Sequence, residues 1–555
     1  MSVMLQTYRS LLADVSRLTG YSEIRGSVVD EHWCLHEAPK LEKHLLGCLE
    51  ASTSVDIDKF PKELRRLALG SLLDPIKMRY LRQLLLFCYK AYVQHDSKTT
   101  EEAIRSFITT NAQVMEFSAS LNRESPTLLR LARQHSQSVL YRFRERDIIP
   151  CHGPGASTTP KERWTSWFDT IESVYPYSDY YACAQNREHL AELSETPISK
   201  HITAKLIPVP KDSRGPRLIC VHPAEAIWIQ QGLRCELERA CSLNRDHRGP
   251  WPRGHVRFDD QVANGRIALS SSRSRKFATL DMKEASDRIS EVLVQLLFGR
   301  KYKYFGCCRA QKVHIPVRSF DQTDLDIYSY APMGNATTFP VQSLVFWSIC
   351  CASMQHRGFR QPGAVFVFGD DIIVPTECVE FIIDDLESFG LVVNRSKTFW
   401  RSQFRESCGV DAFNGINVTP VRWKCSPNAE HLSELQSLSD LAMRLRIAGY
   451  EAAASELYHT LRRKLATRRH VLYYTNNRDH GAIAEYVESY SKTFQNAYWH
   501  SDLQRYVTPV VNLKTIQRNS GSHGWNHVLE SLTSLRRTGH SNVPDRSAPR
   551  RTRLD

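Results

Sequence analysis

Val365-Phe366-Val367-Phe368-Gly369-Asp370-Asp371-Ile372-Ile373-Val374 is the stretch on which the reading of this chain turns. Two apolar, β-like runs enclose a Gly-Asp-Asp turn. Glycine relieves the backbone at such a turn, so the pattern predicts a hairpin with two carboxylates at its tip. A buried strand pair that ends in adjacent acids needs a counter-charge. Mg²⁺ supplies one: it is a hard cation that takes carboxylate oxygens and keeps its remaining positions for water and phosphates. The chain holds its own controls, because Asp259-Asp260 and Asp384-Asp385 repeat the dipeptide without apolar strands on both sides. Those pairs fall in a polar loop and on a helical pattern, and read as solvated acids.

Moving upstream, Phe277-Ala278-Thr279-Leu280-Asp281 is a second short strand ending on an acid, followed by a helix with Ile289, Val292, Leu293, Leu296 and Leu297 behind it. Asp281 can meet the hairpin tip across a sheet, and three carboxylates so placed hold two metals roughly 3.5 to 4 Å apart. Taken alone, a strand-terminal Asp is equally a helix N-cap. Strand-like and helical runs alternate between Phe277 and Pro420, which predicts an α and β core. Before it, helical periodicity fills most of the first 145 residues, for example Leu64 to Gln94 and Glu101 to Phe117. A loop at His152-Gly153-Pro154-Gly155-Ala156 and two β-like runs, Leu206 to Val209 and Leu218 to Val221 around a basic turn, lie between. After Lys424 the pattern is helical again, with Leu432, Leu435, Leu438, Leu441 and Leu445 on one face.

Composition suits a large soluble protein with an acidic partner. The 555 residues carry 73 Lys and Arg against 60 Asp and Glu, a net charge of +13, with 42% hydrophobic residues. Lys200 to Lys276 holds 15 basic against 7 acidic residues and Lys424 to Asp555 holds 19 against 12, so two basic blocks flank a near-neutral middle. That distribution suits sequence-independent phosphate contacts on either side of a central site, and equally two solvated surfaces. The longest apolar run, Phe339 to Met354, is broken by Gln342, Ser343 and Ser348, which excludes a membrane helix. Met1 to Gly20 lacks the pattern of a secretory signal. Fifteen cysteines without a C-x-x-C pair indicate buried thiols in a reducing cytosol. Neither a Walker A motif nor H-E-x-x-H occurs.

Five segments taken together resemble a family. Asp281 to Asp287, Met333-Gly334-Asn335 with Thr338, Gly369-Asp370-Asp371, Asn394-Arg395-Ser396-Lys397-Thr398 and Phe404-Arg405-Glu406-Ser407-Cys408-Gly409 resemble, in order and spacing, the successive palm motifs of viral RNA-dependent RNA polymerases. F-R-E-S-C-G followed by Asn417-Val418-Thr419-Pro420 is similar to the replicase catalytic (beta) subunit of single-stranded RNA bacteriophages, the levivirus group. The resemblance covers about Lys205 to Pro420.

It implies an α+β, right-hand polymerase with an antiparallel palm sheet and helical N- and C-terminal parts. The expected organisation is a helical region over 1–150, fingers over 151–275, palm over 276–423 with part of the fingers inserted near 300–330, a helical thumb over 424–535, and a basic disordered tail over 536–555. The family's roles, carried over, make Asp281, Asp370 and Asp371 the ligands of two Mg²⁺ ions, for which Mn²⁺ substitutes. One ion lowers the pKa of the primer 3′-hydroxyl, and the other clamps the leaving phosphates. Lys397 corresponds to the lysine that protonates the departing pyrophosphate. Lys205, Lys211, Arg214 and Arg217 correspond to the basic motif of the nucleotide channel, whose cations neutralise a triphosphate. Asp287 corresponds to the acid that senses the ribose 2′-hydroxyl, beside Gly334, Asn335 and Thr338; where the wider pattern has Asn, this chain has Gln342. Arg405, Arg462, Arg463 and Lys464 are expected against RNA backbone. The implied partners are single-stranded RNA template, RNA product, ribonucleoside triphosphates, and host translation elongation factors with a ribosomal protein, in the cytoplasm of an infected bacterium. A reverse transcriptase shares the palm, but it carries an aromatic residue where Ser286 stands. A non-catalytic RNA-binding protein explains the charge and leaves the acidic hairpin tip unexplained.

Overall fold

Asp74-Pro75 shows how local chemistry divides the first part of the chain. The Asp74 carboxylate accepts from the N–H groups of Ile76 and Lys77, and Pro75 opens the following turn. The pattern read over Leu64 to Gln94 is therefore two helices, α3 and α4 below, rather than one. The computed structural model describes residues 1–158, 202–242, 260–316, 323–359, 364–478, 481–488, 497–507 and 510–516, less single positions at 28, 94, 125, 152 and 154, together with 256, 258 and 551–554.

The opening helices are α1 (Val3–Thr19), α2 (Ala38–Ala51), α3 (Lys62–Ser71), α4 (Pro75–Leu86), α5 (Ser97–Glu124) and α6 (Pro126–Leu140). A hairpin of β1 (Thr203–Asp212) and β2 (Gly215–Val221) leads into α7 (Ala224–Ser242) and α8 (Gln261–Ser274). Next come β3 (Phe277–Leu280) and β4 (Met282–Lys283), parted only by Asp281, then α9 (Glu291–Phe298), β5 (Lys312–His314) and β6 (Asp324–Asp326). The long helix α10 (Thr338–His356) precedes β7 (Phe366–Phe368), β8 (Asp371–Pro375), α11 (Val379–Ser388) and β9 (Val392–Val393). The strands β10 (Phe404–Ser407), β11 (Val410–Phe413) and β12 (Ile416–Asn417) are followed by α12 (Glu434–Ile447) and α13 (Glu451–Ala466).

The fold is α+β, and its central sheet runs in the order β3-β8-β7, all antiparallel. Leu280 pairs with Ile372 and Phe368 with Asp371, so the register alone brings Asp281 to the Gly369-Asp370 turn. The sheet is short and needs cover on both faces. α10 supplies one cover: it is buried on every side from Val341 to Met354, which accounts for the apolar run Phe339 to Met354. No helix among the described residues is long and apolar enough to cross a membrane.

Two apolar cores divide the chain in a way the expected boundaries do not. One joins α5 and α6 to the sheets up to Val393; the other joins residues 3–91 to 399–472. The expected 1–150 unit is therefore split near residue 93, and its first part belongs with α12 and α13. The junction is specific, because Asp14 of α1 accepts from the N–H groups of Ala452 and Ala453 and so caps the first turn of α13 from across the chain. Met4 N–H likewise donates to the Pro427 carbonyl. The presumed tail lies outside the described residues apart from 551–554, where Arg551–Leu554 pairs antiparallel with Leu513–Ile516 instead of being disordered.

Candidate active site

Gly369 adopts φ 67°, and a Cβ there would fall 2.4 Å from the Phe339 ring, so the turn between β7 and β8 requires glycine. Its N–H donates to Ser343 Oγ of α10 at 3.0 Å, which fixes the tip against the helix. Asp370 projects from this tip into solvent and Asp371 opens β8. Asp281 lies alongside, its Oδ2 accepting from Asn394 Nδ2 at 2.7 Å with Lys397 Nζ at 3.9 Å. Backbone bonds between Asn394 N–H and the Asp281 carbonyl, and in both directions between Thr279 and Phe399, lay the 394–399 segment against β3.

A third element, the β10–β11 turn, also reaches the acids. Ser407 pairs with Val410, and the two residues between them, Cys408 (φ 50°) and Gly409 (φ 77°), both take positive φ as a tight primed turn demands. The Cys408 N–H is thereby aimed at Asp371 Oδ2, 3.1 Å away. Burial first, and then the charges of Asp370 and Asp281, push Asp371 up to about 7 despite that hydrogen bond. Asp281 is raised too, by burial, with Lys397 opposing and Asp370 adding to the shift. Burial would lower Lys397, but Glu406, Asp281 and Tyr89 outweigh it, so the ammonium stays charged.

Three mutually repelling carboxylates, with the Lys397 ammonium within ion-pair distance of Asp281 alone, offer the hard oxygen donors that a divalent cation fits. Among the described residues, no three His, Cys, Asp or Glu side chains already stand in ligating geometry. The fit is thus one of chemistry and neighbourhood, with Asp370 exposed on the turn beside the other two acids.

The other expected residues are distributed unevenly. Lys211, Arg214 and Arg217 cluster at the β1–β2 turn, and Lys211 is close enough to Asp281 to oppose its shift. Arg214 is already engaged, its Nε and Nη2 on Asp212 at 3.1 and 2.8 Å and its guanidinium over the Tyr89 ring. Lys205 lies six residues back along β1, about 20 Å away at strand spacing, beside His314 in β5. Asp287 does not pair with Arg288, which is held by Glu284 at 2.8 Å. Burial raises Asp287 to about 6 against hydrogen bonds from Ser286 Oγ and the Met333 backbone.

Gly334 sits at φ 125°, and a Cβ would meet the Cys220 carbonyl oxygen at 2.1 Å. The Cys220 N–H in turn donates to the Met333 carbonyl at 2.7 Å. The Met333-Gly334-Asn335 segment expected at the nucleotide is therefore docked on β2. Asn335 is buried, with Oδ1 accepting from Thr337 N–H and Oγ1, while Thr338 Oγ1 donates to the Ala331 carbonyl. Gly334→Ala is expected to destabilise the protein by about 2–3 kcal/mol through positive φ and overlap. A thermal melt unchanged from wild type would contradict the docking.

Arg405 corrects an expectation. It is fully buried, donating to the carbonyls of Phe277, Ser402 and Phe404 at 2.6–2.7 Å, and burial drops it to about 10. It ties β10 to β3, with Nη2 also donating to the Trp400 carbonyl at 3.3 Å, and is buried away from any RNA. Arg462 is held by Glu485, and Lys464 donates to the carbonyls of Asn428 and Ala429, whereas Arg463 is exposed. Of the two control pairs, Asp260 caps α8 and Asp385 binds Arg357 and Ser353, so neither acid is merely solvated.

His222, just past β2, is buried with Nδ1 on the Cys220 carbonyl, and burial lowers its pKa from 6.5 to about 4. Between these values the unfolded chain takes up a proton that the folded one refuses, so stability falls as pH drops from about 6.5 to about 4. His222→Gln is expected to flatten that part of the melting temperature against pH. An unchanged slope would remove His222 as its source.

Sequence reading missed Asn394 Nδ2, the Cys408 N–H and Ser343 Oγ as supports of the acids. Only the Cys-Gly turn signal before Val410 was visible in advance. Residues 170–453 match the family described as RNA replicase, beta-chain. The RNA-directed RNA polymerase beta chain of Enterobacteria phage fr is 31% identical over 239 residues, 43% of this chain and 40% of that protein. The corresponding subunit of Qbeta virus (strain MX1) is 32% identical over 217 residues, 39% and 34%, and that of Escherichia phage MS2 is 32% identical over 214 residues, 38% and 36%. The aligned segments thus span about two-fifths or less of each relative. A solved structure named "RdRp complex" overlays with a TM-score of 0.40 at 11% identity, over 76% of this chain and 43% of the other, a likeness too slight to transfer detail.

Proposed function

Because the chain belongs to the family of RNA replicase beta-chains, we propose that it is an RNA-dependent RNA polymerase, copying single-stranded RNA from ribonucleoside triphosphates with release of pyrophosphate. The observation that carries this reading is the meeting of Asp281, Asp370 and Asp371 at adjoining strand ends, with Lys397 3.9 Å from Asp281. On this reading the β3-β8-β7 sheet is the palm, the β1–β2 hairpin belongs to the fingers, and α12 with α13 forms the thumb, joined by residues 1–93.

Asp281, Asp370 and Asp371 would hold two Mg²⁺ or Mn²⁺ ions, which when bound supply activation of the attacking 3′-hydroxyl and neutralisation of the leaving phosphates. The remaining work falls to this chain's own groups. Lys211 and Arg217 draw in the triphosphate. Lys397, kept charged by Glu406, Asp281 and Tyr89, holds a proton where the pyrophosphate oxygen departs. Asn394 and the Cys408 N–H fix the orientation of Asp281 and Asp371. Asp287, half-buried behind Met333, accepts from a ribose 2′-hydroxyl. Burial raises it to about 6, so it accepts most strongly above that pH, as the carboxylate, and 2′-deoxy substrates forgo that contact.

The test is incorporation of labelled ribonucleotides by the purified chain on a single-stranded RNA template, with Mg²⁺ and with a chelator. Template-dependent product that the chelator abolishes is expected. Activity appearing only with bacterial extract would add host translation factors as subunits, in the cytoplasm of an infected bacterium. No product under either condition, with RNA still bound, would favour a non-catalytic RNA-binding protein.

A further inference from the structure

The turn after α4, residues 87–92, is pinned on two sides. Toward the C-terminal part, Trp423 N–H donates to the Phe87 carbonyl at 2.7 Å and Tyr92 N–H to the Cys425 carbonyl at 2.9 Å. Toward the β1–β2 turn, Ser213 N–H donates to the Tyr89 carbonyl at 3.1 Å and Tyr89 Oη to Asp212 Oδ2 at 3.0 Å, with Arg214 stacked over the Tyr89 ring. These five contacts seat Lys90 between Lys424 and the basic hairpin.

The cations gathered here outnumber their partners. Arg214 is paired with Asp212, and Arg422 with Asp411. Among the described residues, no ion pair includes Lys90, Lys211, Arg217 or Lys424. Burial, and then Arg422 and Lys424, lower Lys90; burial, and then Arg217, lower Lys211; Lys397 adds to both. The one acid that acts on both Lys90 and Lys211, Asp212, is already taken by Arg214, so Lys90 and the exposed Lys211, Arg217 and Lys424 form a patch of surplus positive charge beside the carboxylate site. An extended nucleic-acid backbone spreads its charge along its length, whereas a triphosphate concentrates about four charges in one compact group.

Building on the polymerase reading, we propose that Lys90 and Lys424 complete, with Lys211 and Arg217, a subsite for the polyphosphate of the incoming nucleotide, so that the N-terminal helical part supplies a substrate contact. Lys90 is thus a binding residue contributed from outside every motif the sequence displays. The phosphate chemistry is shared with RNA backbone, and the experiment separates the two sources.

The full chain, without RNA, is titrated with a fluorescent ribonucleoside triphosphate in Mg²⁺, and separately with a fluorescent single-stranded RNA. Lys90→Ala and Lys424→Ala are each expected to weaken triphosphate binding about tenfold, a charge-assisted contact apiece. Lys90→Arg should restore most of it, and the corresponding monophosphate should bind all variants alike. RNA affinity should stay within about twofold. Equal triphosphate affinity in wild type and both alanine variants overturns the proposal and leaves the polymerase reading standing. Loss of RNA affinity with triphosphate binding intact also overturns it, in favour of a backbone contact. A wild-type chain that binds no triphosphate sinks both. Matching thermal melts of the variants keep misfolding out of the comparison.

Discussion

Asp281→Asn is expected to cut ribonucleotide incorporation by about 10³-fold or more while leaving the melting temperature near that of wild type. The carboxamide keeps the shape of the side chain and can still meet Asn394 after a rotation, so the loss is chemical. Two things disappear together: a hard anionic donor, and the charge that faces Lys397 at 3.9 Å. Burial already disfavours charge at this position, so the folded protein has no stability reason to place an ionisable acid there. Single-nucleotide incorporation with a circular dichroism control measures the effect. A variant within about tenfold of wild type would remove Asp281 from the reaction and move attention to Asp370 and Asp371.

The largest stability effect belongs to Arg82. Its guanidinium is buried in α4 and meets Glu42 and Asp411, each at 2.9 Å, and the Val418 carbonyl at 3.1 Å. Burial would strip its charge, but the two carboxylates more than compensate; Asp411, likewise buried, is held below its ordinary value by Arg82 and Arg422. Arg82→Met leaves Glu42 and most of Asp411 buried without their partner, which costs about 3–5 kcal/mol. Urea denaturation measures it, and a loss below about 1 kcal/mol would show the cluster to be dispensable. The sign of the pH effect is fixed as well: a depressed folded pKa contributes stability above the ordinary Asp value, and that contribution is lost as pH falls through the folded value.

Much of the acidic site was legible because strand period and turn chemistry are local. Val365 to Val374 announced its own hairpin, and Phe277 to Asp281 its own strand. Register then follows from pairing one apolar strand with another. What stayed hidden depends on contacts between residues far apart in sequence. Arg405 looked like a phosphate ligand because a basic residue in a hairpin usually faces solvent, and only the packing of β10 on β3 turns it inward. Lys90 carried no signal, since its place is set by carbonyls of Phe87 and Tyr89 meeting N–H groups of residues 423 and 213. Arg214 was half legible: its basic turn was plain, its capture by Asp212 was not.

The sharing of one apolar core by residues 3–91 and 399–472 has a consequence during synthesis. The ribosome releases the first ninety residues about 300 positions before the segment that covers them. At cellular elongation rates that interval is roughly 15 to 60 s. Throughout it, α1 and α4 present Leu11, Leu81 and their neighbours with no counterpart to close over them. A chain cut short before α12 would carry the Asp370-Asp371 hairpin but lack about a third of this core, and Asp14 would have no helix to cap. The acid-bearing strands are therefore made well before α1 and α4 gain the partners that close their core.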